Sequence, residues 1–402
     1  MNKMLFVSSY DLRRNTSSNI RTIALMQSLS TNGFSVDVAY VQSNNSVDPS
    51  IDEALENCCG NIFKLICETT STNENKTSKP SRFKQALKDK ALSLYSRLFV
   101  YDVFQTRFRK IKWNNFKKII PDYDYIISSS EPRSSHKLAE IMIEKRITSG
   151  KWIQYWGDPM SNDVASKKLF KNSEKREEKR LLKKADLVLY TNPGCAEYMK
   201  NRYLPYADKI FWLPTTDLVD QMNKSSNNGI KQELCISYVG DYLSSYRNIV
   251  PLYNVCTRMG IKCTIAGNGD TVLNQNDSVH ILGRVGREKA IEIENNSDIL
   301  AVLDNERKGI TECIQVPGKM YHFALTTKYI LVITNGDSLQ RYYDCFKRYV
   351  FAQNNEKSIE KALLDITNNR YCSSFNSPLL DFSQNSVYQK MDEILKRYYV
   401  KE

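Results

Sequence analysis

The chain is poor in histidine, in paired cysteine and in long apolar runs. Its three histidines, His136, His280 and His322, stand at no metal-ligand spacing, so no metal site is expected. None of its ten cysteines forms a C-x-x-C pair, and the adjacent Cys58 and Cys59 have no ligand partners nearby in sequence. Reduced thiols are therefore expected, rather than a disulfide framework or a zinc site. No apolar run approaches the ~20 residues of a spanning helix. The longest, such as 329–334, are bounded by polar residues, which excludes a multi-span membrane protein. The apolar stretch at 4–7 is shorter than a signal-peptide core of roughly 7–15 residues, so it reads as the first strand of the fold. A hydrophobic fraction of 41% and a charged fraction of 25% exclude global disorder and a collagen-like chain.

What the chain does have is positive charge, and that charge is localised. The formal net charge is +12 over 402 residues. Between Lys76 and Lys118 thirteen basic residues face only Asp89 and Asp102, which is +11 of that excess. The segment also carries apolar residues at steps of three and four: Phe83, Leu87, Ala91, Leu94 and Leu98, then Tyr101, Phe104, Phe108 and Ile111. That spacing predicts one or two amphipathic helices. Cations and aromatics on one such element suit an anionic membrane surface, with Lys84, Lys88, Lys90 and Arg97 as the lipid- or acceptor-facing cations. A solvated surface helix is the alternative. Nucleic acid is not expected, because no nucleic-acid-binding motif accompanies the charge.

Along the rest of the chain, short apolar runs alternate with helical patterns, which predicts parallel βαβ units. Strands are expected at 5–8, 35–41, 62–66, 125–128, 152–155, 187–190 and 210–213. A second series is expected at 235–239, 262–266, 279–282, 299–303 and 330–333. Residues 43–57 read as a polar loop, and 387–399 as a final amphipathic helix. The expected division is a first domain at 1–215 with the basic insert at 76–118, a linker at 216–232, a second domain at 233–384, and a helix at 385–402 returning to the first domain.

The second half holds the motifs. Gly240 and Asp241 close a strand, and Arg247 precedes a helix. Gly267, Asn268 and Gly269 follow the next strand. Gly283, Arg284 and Val285 follow the one after. Ligands in such folds bind beyond the carboxyl ends of the strands, where glycine admits close backbone approach. In Gln315-Val316-Pro317-Gly318-Lys319-Met320-Tyr321, proline stands at a plausible helix start and Lys319 is a point charge suited to phosphate.

In this order the motifs resemble those of GT-B fold glycosyltransferases, closest to the family-4-like enzymes of bacterial capsule, O-antigen and exopolysaccharide assembly. The resemblance implies an α/β fold of two Rossmann-like parallel-sheet domains facing a central cleft, with the acceptor held by the first and the nucleotide-sugar by the second. It implies a sugar moved from a nucleotide-sugar, UDP-linked by expectation, to a lipid-diphosphate-linked or polysaccharide acceptor. The location implied is cytoplasmic, peripheral at the inner membrane face, and no cofactor or metal beyond the donor is needed. Arg247 and Lys319 would neutralise the donor diphosphate, among donor contacts at Gly240, Gly267, Asn268, Pro317 and Gly318. Gly283, Arg284 and Val285 would frame the base, with Gln315 and Tyr321 near the ribose or sugar. Asp158, Glu131 and His322 would be catalytic. Two departures stand out. The family's two glutamates eight residues apart fall here at Ile314 and His322, which leaves open the retaining outcome the family would imply. Residues 14–19 replace its paired glycines. A nucleotide-sugar epimerase and a non-catalytic binding scaffold are the competing readings.

Overall fold

Short strands separated by helical patterns cannot pair as hairpins, so each reaches its neighbour by a crossover. The computed structural model describes residues 2–43, 47–67, 90–92, 94–95, 97–162, 171–218, 234–304, 316–335, 349–369 and 380–399. It divides into two compact units, Met1–Leu213 with Tyr388–Glu402, and Pro214–Val387.

The first unit is a seven-stranded sheet of β1 (Lys3–Ser8), β2 (Ser35–Val41), β3 (Ile62–Leu65), β4 (Tyr125–Ser129), β5 (Lys151–Trp156), β6 (Leu187–Tyr190) and β7 (Ile210–Trp212). Their order is β3-β2-β1-β4-β5-β6-β7, and every pairing is parallel. Central strands of a parallel sheet are buried, and all four residues of β6 are. The connecting helices are α1 (Ser17–Ser30), α2 (Pro49–Cys58), the single turn α3 (Trp113–Phe116), α4 (Ser134–Glu144), α5 (Lys171–Lys184) and α6 (Pro193–Arg202). Caps set their starts: Thr16 Oγ1 accepts from the Asn19 N–H, and Asn192 Oδ1 accepts from the Gly194 N–H ahead of α6, with Pro193 at its first turn.

The second unit is a six-stranded parallel sheet of β8 (Cys235–Val239), β9 (Lys262–Ala266), β10 (Val279–Gly283), β11 (Ile299–Leu303), β12 (Tyr329–Ile333) and β13 (Tyr349–Ala352), in the order β10-β9-β8-β11-β12-β13. Its helices are α7 (Val250–Met259), α8 (Arg287–Asn295), α9 (Gly318–Ala324) and α10 (Glu356–Asn369). The last helix, α11 (Gln384–Tyr399), belongs to the first unit from Tyr388 onward. There the Tyr399 ring lies 5.6 Å from Tyr125, with Lys151 Nζ 3.8 Å above it.

Three expectations are corrected. The polar stretch at 43–57 contains α2. Asp48 caps it through the Ser50 N–H, Pro49 opens it, and Ile51, Leu55 and Cys58 are buried at steps of four and three. The strand β13 was not expected from the sequence. The basic segment, expected as one or two amphipathic helices, is helical at 90–92, 94–95 and 97–98 in its described part, but beyond these it forms a 3-10 turn (Val103–Lys110) followed by the single turn α3. Asp102 imposes the break. Its carboxylate accepts from the Phe104 N–H at 3.1 Å and also from the Ser134 N–H and hydroxyl, tying the start of the 3-10 turn to the start of α4. Lys84 and Lys88 lie outside the described residues, as does most of the linker expected at 216–232.

The core of the first unit also holds a neutral histidine. His136 on α4 is fully buried, with Nδ1 2.7 Å from the Ser128 hydroxyl, which also accepts from Trp152 Nε1 at 2.8 Å. Its ring lies 4.0 Å from Trp156. Burial lowers its pKa to about 3. Because the folded pKa lies below the unfolded one, the unfolded chain takes up the proton first, and stability falls as pH drops from about 6.5 toward 3. His136→Asn should therefore flatten the acid limb of urea-unfolding stability over that window while leaving neutral pH less stable by about 1–3 kcal/mol; an unchanged acid limb would contradict this.

Candidate active site at the carboxyl edge of the second sheet

From β8 the chain steps outward through β9 and β10, then returns to place β11 on the other side of β8. That reversal opens a crevice beyond the carboxyl ends of β8 and β11, the position where open α/β sheets bind ligands. The loops at this edge are knitted together by backbone hydrogen bonds. Gly240 N–H donates to Ala266 O, Gly267 N–H to Gly283 O, and Tyr242 N–H to Asn268 O, at 2.8, 2.8 and 2.9 Å. Asp241 Oδ1 accepts from the Asn268 N–H at 3.0 Å. A Cβ on Gly267 would stand 2.0 Å from the Gly240 carbonyl oxygen, and one on Gly269 would stand 1.9 Å from the Tyr242 ring. Only glycine lets the loops approach this closely.

Arg247 closes the loop after β8, with Leu243 N–H donating to its carbonyl at 3.2 Å. Burial pushes the Tyr238 phenol up, and the nearby Arg247 cation works against that rise. Gly283 ends β10 in the left-handed region at φ +64. Arg284 lies 3.7 Å from Asp241 in an exposed pair, a contact of little energetic weight. Val285 is partly buried. Pro317 and Gly318 lead into α9, which packs on β11. Gln315 lies outside the described residues.

Two residues on α9 depart from expectation. Tyr321 is 2% exposed, with its ring 5.3 Å from Phe382, so it braces the helix from behind rather than facing a sugar. His322 is no free base. Its Nδ1 lies 2.6 Å from Asp217 Oδ2 and its Nε2 lies 3.1 Å from Glu294 Oε2, with both carboxylates almost fully buried. Asp217 is held in turn by Arg287 at 3.0 Å, and Lys319 Nζ pairs with Glu294 Oε1. Burial works against the charged imidazole, but Asp217 and Glu294 outweigh it and raise its pKa to about 9. Burial likewise raises the two acids, yet the neighbouring cations prevail. Asp217 is held far below the usual range, and Glu294 is lowered to about 2. At neutral pH the imidazole is thus charged and stands between two buried carboxylates.

Asp217, Arg287 and Glu294 were missed from the sequence, because nothing in their local pattern marks them as buried. Lys328 was missed too. Its Nζ collects the Glu294 and Asn295 carbonyls at 2.9 and 2.5 Å, and the Ser297 carbonyl, closing the carboxyl end of α8.

In the first unit the strand-order reversal falls between β1 and β4. Glu131 follows β4 with its carboxylate 46% exposed and 3.7 Å from Arg133, itself fixed by Glu174 at 2.8 Å. Asp158 follows β5 and is half-buried. Arg21 on α1 was missed; it donates to the Ser130 carbonyl and lies 5.5 Å above the Tyr155 ring. Lys90 and Arg97 are exposed.

No family model matches the chain, and no curated protein sequence matches it significantly. Solved structures do. HepE of Anabaena in complex with UDP and glucose is similar at a TM-score of 0.62 and 11% identity, over 99% of this chain and 100% of that one. The catalytic domain of starch synthase IV from Arabidopsis thaliana, bound to ADP and acarbose, is similar at 0.61 and 9%, over 98% of each chain. The UDP-GlcNAc 2-epimerase of Neisseria meningitidis, bound to UDP-GlcNAc, is similar at 0.52 and 11%, over 98% of this chain and 100% of that one. At these identities the likeness is one of fold. The chain has the GT-B fold, with two Rossmann-like parallel-sheet domains.

The close loop contacts give a direct test. Gly267→Ala should lower unfolding stability by about 1–3 kcal/mol in urea, the weight of an overpacked site. Gly286→Ala, whose Cβ meets nothing within 4 Å, should leave stability within about 0.5 kcal/mol. Equal effects at the two positions would contradict the packing described.

Proposed function

We propose that the protein is a glycosyltransferase that moves a sugar from a UDP-sugar to a lipid-linked or polysaccharide acceptor in the synthesis of a bacterial surface glycan. The observation that carries this reading is the knitted edge of β8, β9 and β10 at the strand-order reversal. Arg247 stands on the loop after β8, and Lys319 on the helix that follows the carboxyl end of β11. Two cations there suit a diphosphate, and their charge would stabilise the departing nucleoside diphosphate as the glycosidic bond breaks. Gly283, Arg284 and Val285 would frame the base, with Gly240, Gly267 and Asn268 as further donor contacts. In the first unit, Asp158 and Glu131, after β5 and β4, offer carboxylates to the acceptor hydroxyl. UDP and UDP-GlcNAc in the structural neighbours support a uridine donor.

Calorimetric titration with UDP tests the donor site. Arg247→Ala and Lys319→Ala should each weaken binding about ten- to hundredfold, the weight of a charge-assisted contact of about 1.5–3 kcal/mol. Wild-type affinity in both variants would sink the assignment. Product analysis with a panel of UDP-sugars then separates the classes: a new glycosidic bond supports transfer, and an inverted free nucleotide-sugar indicates an epimerase. Binding without turnover indicates a scaffold.

The acceptor is proposed to lie in a membrane, and the basic segment to bring the protein to it. Leu92, Leu94, Leu98 and Phe99 are 39–56% exposed beside Lys90 and Arg97. In flotation assays the protein should bind vesicles containing anionic lipid, and Lys90→Glu with Arg97→Glu should reduce that binding about thirtyfold or more, at about 1 kcal/mol per cation lost. Equal binding to neutral vesicles would contradict it.

A further inference from the structure

Charge is rarely buried without being paired, and here five ionic groups alternate in sign along one line. Arg287 meets Asp217, Asp217 meets His322, His322 meets Glu294, and Glu294 meets Lys319. Side-chain exposure is 11% at Arg287, 2% at Asp217, 13% at His322 and 4% at Glu294, then rises to 37% at Lys319. With the imidazole protonated, the ladder holds three cations and two anions. The one uncompensated positive charge belongs to the row as a whole, and the row opens to solvent at Lys319.

We infer that Glu294 and Asp217 are positioning residues for the donor phosphate: acting through Lys319 and His322, they hold a single net positive charge at the exposed end of a buried ion ladder. This rests on the reading that Lys319 meets phosphate. Glu294 joins the two α9 cations, so if either Lys319 or His322 turned away this buried carboxylate would lose one of its two partners, which is costly. Asp217 balances the imidazole from its other side and is anchored twice, by Arg287 through its side chain and by Gln384 Nε2, which donates to its carbonyl at 3.0 Å. Among the described residues, the other charged groups on the elements around His322 are Glu288, Lys289 and Glu292 on α8, Lys328 at its carboxyl end, Asp304 after β11, and Asp381 in the turn Leu380–Phe382. Loss of the imidazole proton would bring the ladder to neutrality and weaken its hold on a phosphate. The raised pKa of about 9 keeps that proton in place at neutral pH.

UDP binding to the full chain tests this, because position and simple charge predict opposite signs. Glu294→Gln removes a negative charge and, if Glu294 were only a counterion, would tighten UDP binding. As a positioning residue its loss should weaken binding about fivefold or more at pH 7.5, and Glu294→Asp, with charge kept but reach shortened, should weaken it as well. Tightening in Glu294→Gln, or wild-type affinity in both variants, overturns the inference. A measurement on the wild-type protein guards against misfolded variants. By reciprocity, UDP must keep the His322 imidazole protonated to a higher pH than in the free protein, read from the Cε1–H resonances of the three histidines. An unchanged titration overturns the inference. Lys319→Ala separates the two levels: if it binds UDP as the wild type does, the donor-site reading itself fails. If it loses affinity while the Glu294 variants and the His322 titration do not respond, only the positioning role fails.

Discussion

A parallel strand cannot be reached by a tight turn, and most of this structure follows from that restriction. Every strand must be followed by a crossover, so all strands in a sheet point the same way and all their carboxyl ends fall on one edge. Where the winding reverses, between β8 and β11 and again between β1 and β4, two crossovers leave in opposite directions and expose that edge. Loops with short glycine turns are then brought side by side without any contact between them in sequence. Gly240, Gly267 and Gly283 are 27 and 16 residues apart in sequence, yet their backbones are joined by hydrogen bonds at or near each of them.

The second constraint is electrostatic. Placing Asp217 and Glu294 inside the second unit would be costly if either stood alone, and the structure answers with three cations from two helices: Arg287 on α8, and His322 and Lys319 on α9. The same pairing rule explains Arg133 with Glu174 and Arg13 with Asp11 in the first unit. His136 shows the other solution. With no carboxylate beside it among the described residues and an aromatic ring against it, it is held neutral instead. Two histidines in one chain thus have pKa values displaced in opposite directions by what surrounds them.

Much of the fold was legible because its signals are local. Cys235–Val239 and Ile299–Leu303 are apolar runs of strand length, bounded by polar residues, and their ends match the sequence reading. Helix α2 was hidden because its apolar face is only Ile51, Leu55 and Cys58 in a polar stretch; the signals were Asp48 and Pro49 at its start. In the basic segment the helical reading holds at 90–92, 94–95 and 97–98 and fails from Val103 on. Its three-four spacing is real, but the Asp102 carboxylate is spent on two helix starts, and the chain turns there. At the candidate site, the glycine turns were legible because glycine has few other uses after a strand. The roles of Tyr321 and His322 were not, because whether a residue on a helix faces a ligand or a neighbouring carboxylate depends on α8 and on residue 217, far away in sequence.

By itself the sequence determined the alternation of strand and helix, the placement of the glycine turns and the concentration of positive charge at 76–118, since these rest on periodicity, backbone freedom and composition. Only the tertiary structure decided which charged side chains are buried and which partner each one meets. Burial converts a carboxylate from a solvated surface group into one that must find a cation, and that partner is chosen by packing across elements, where sequence distance carries no information.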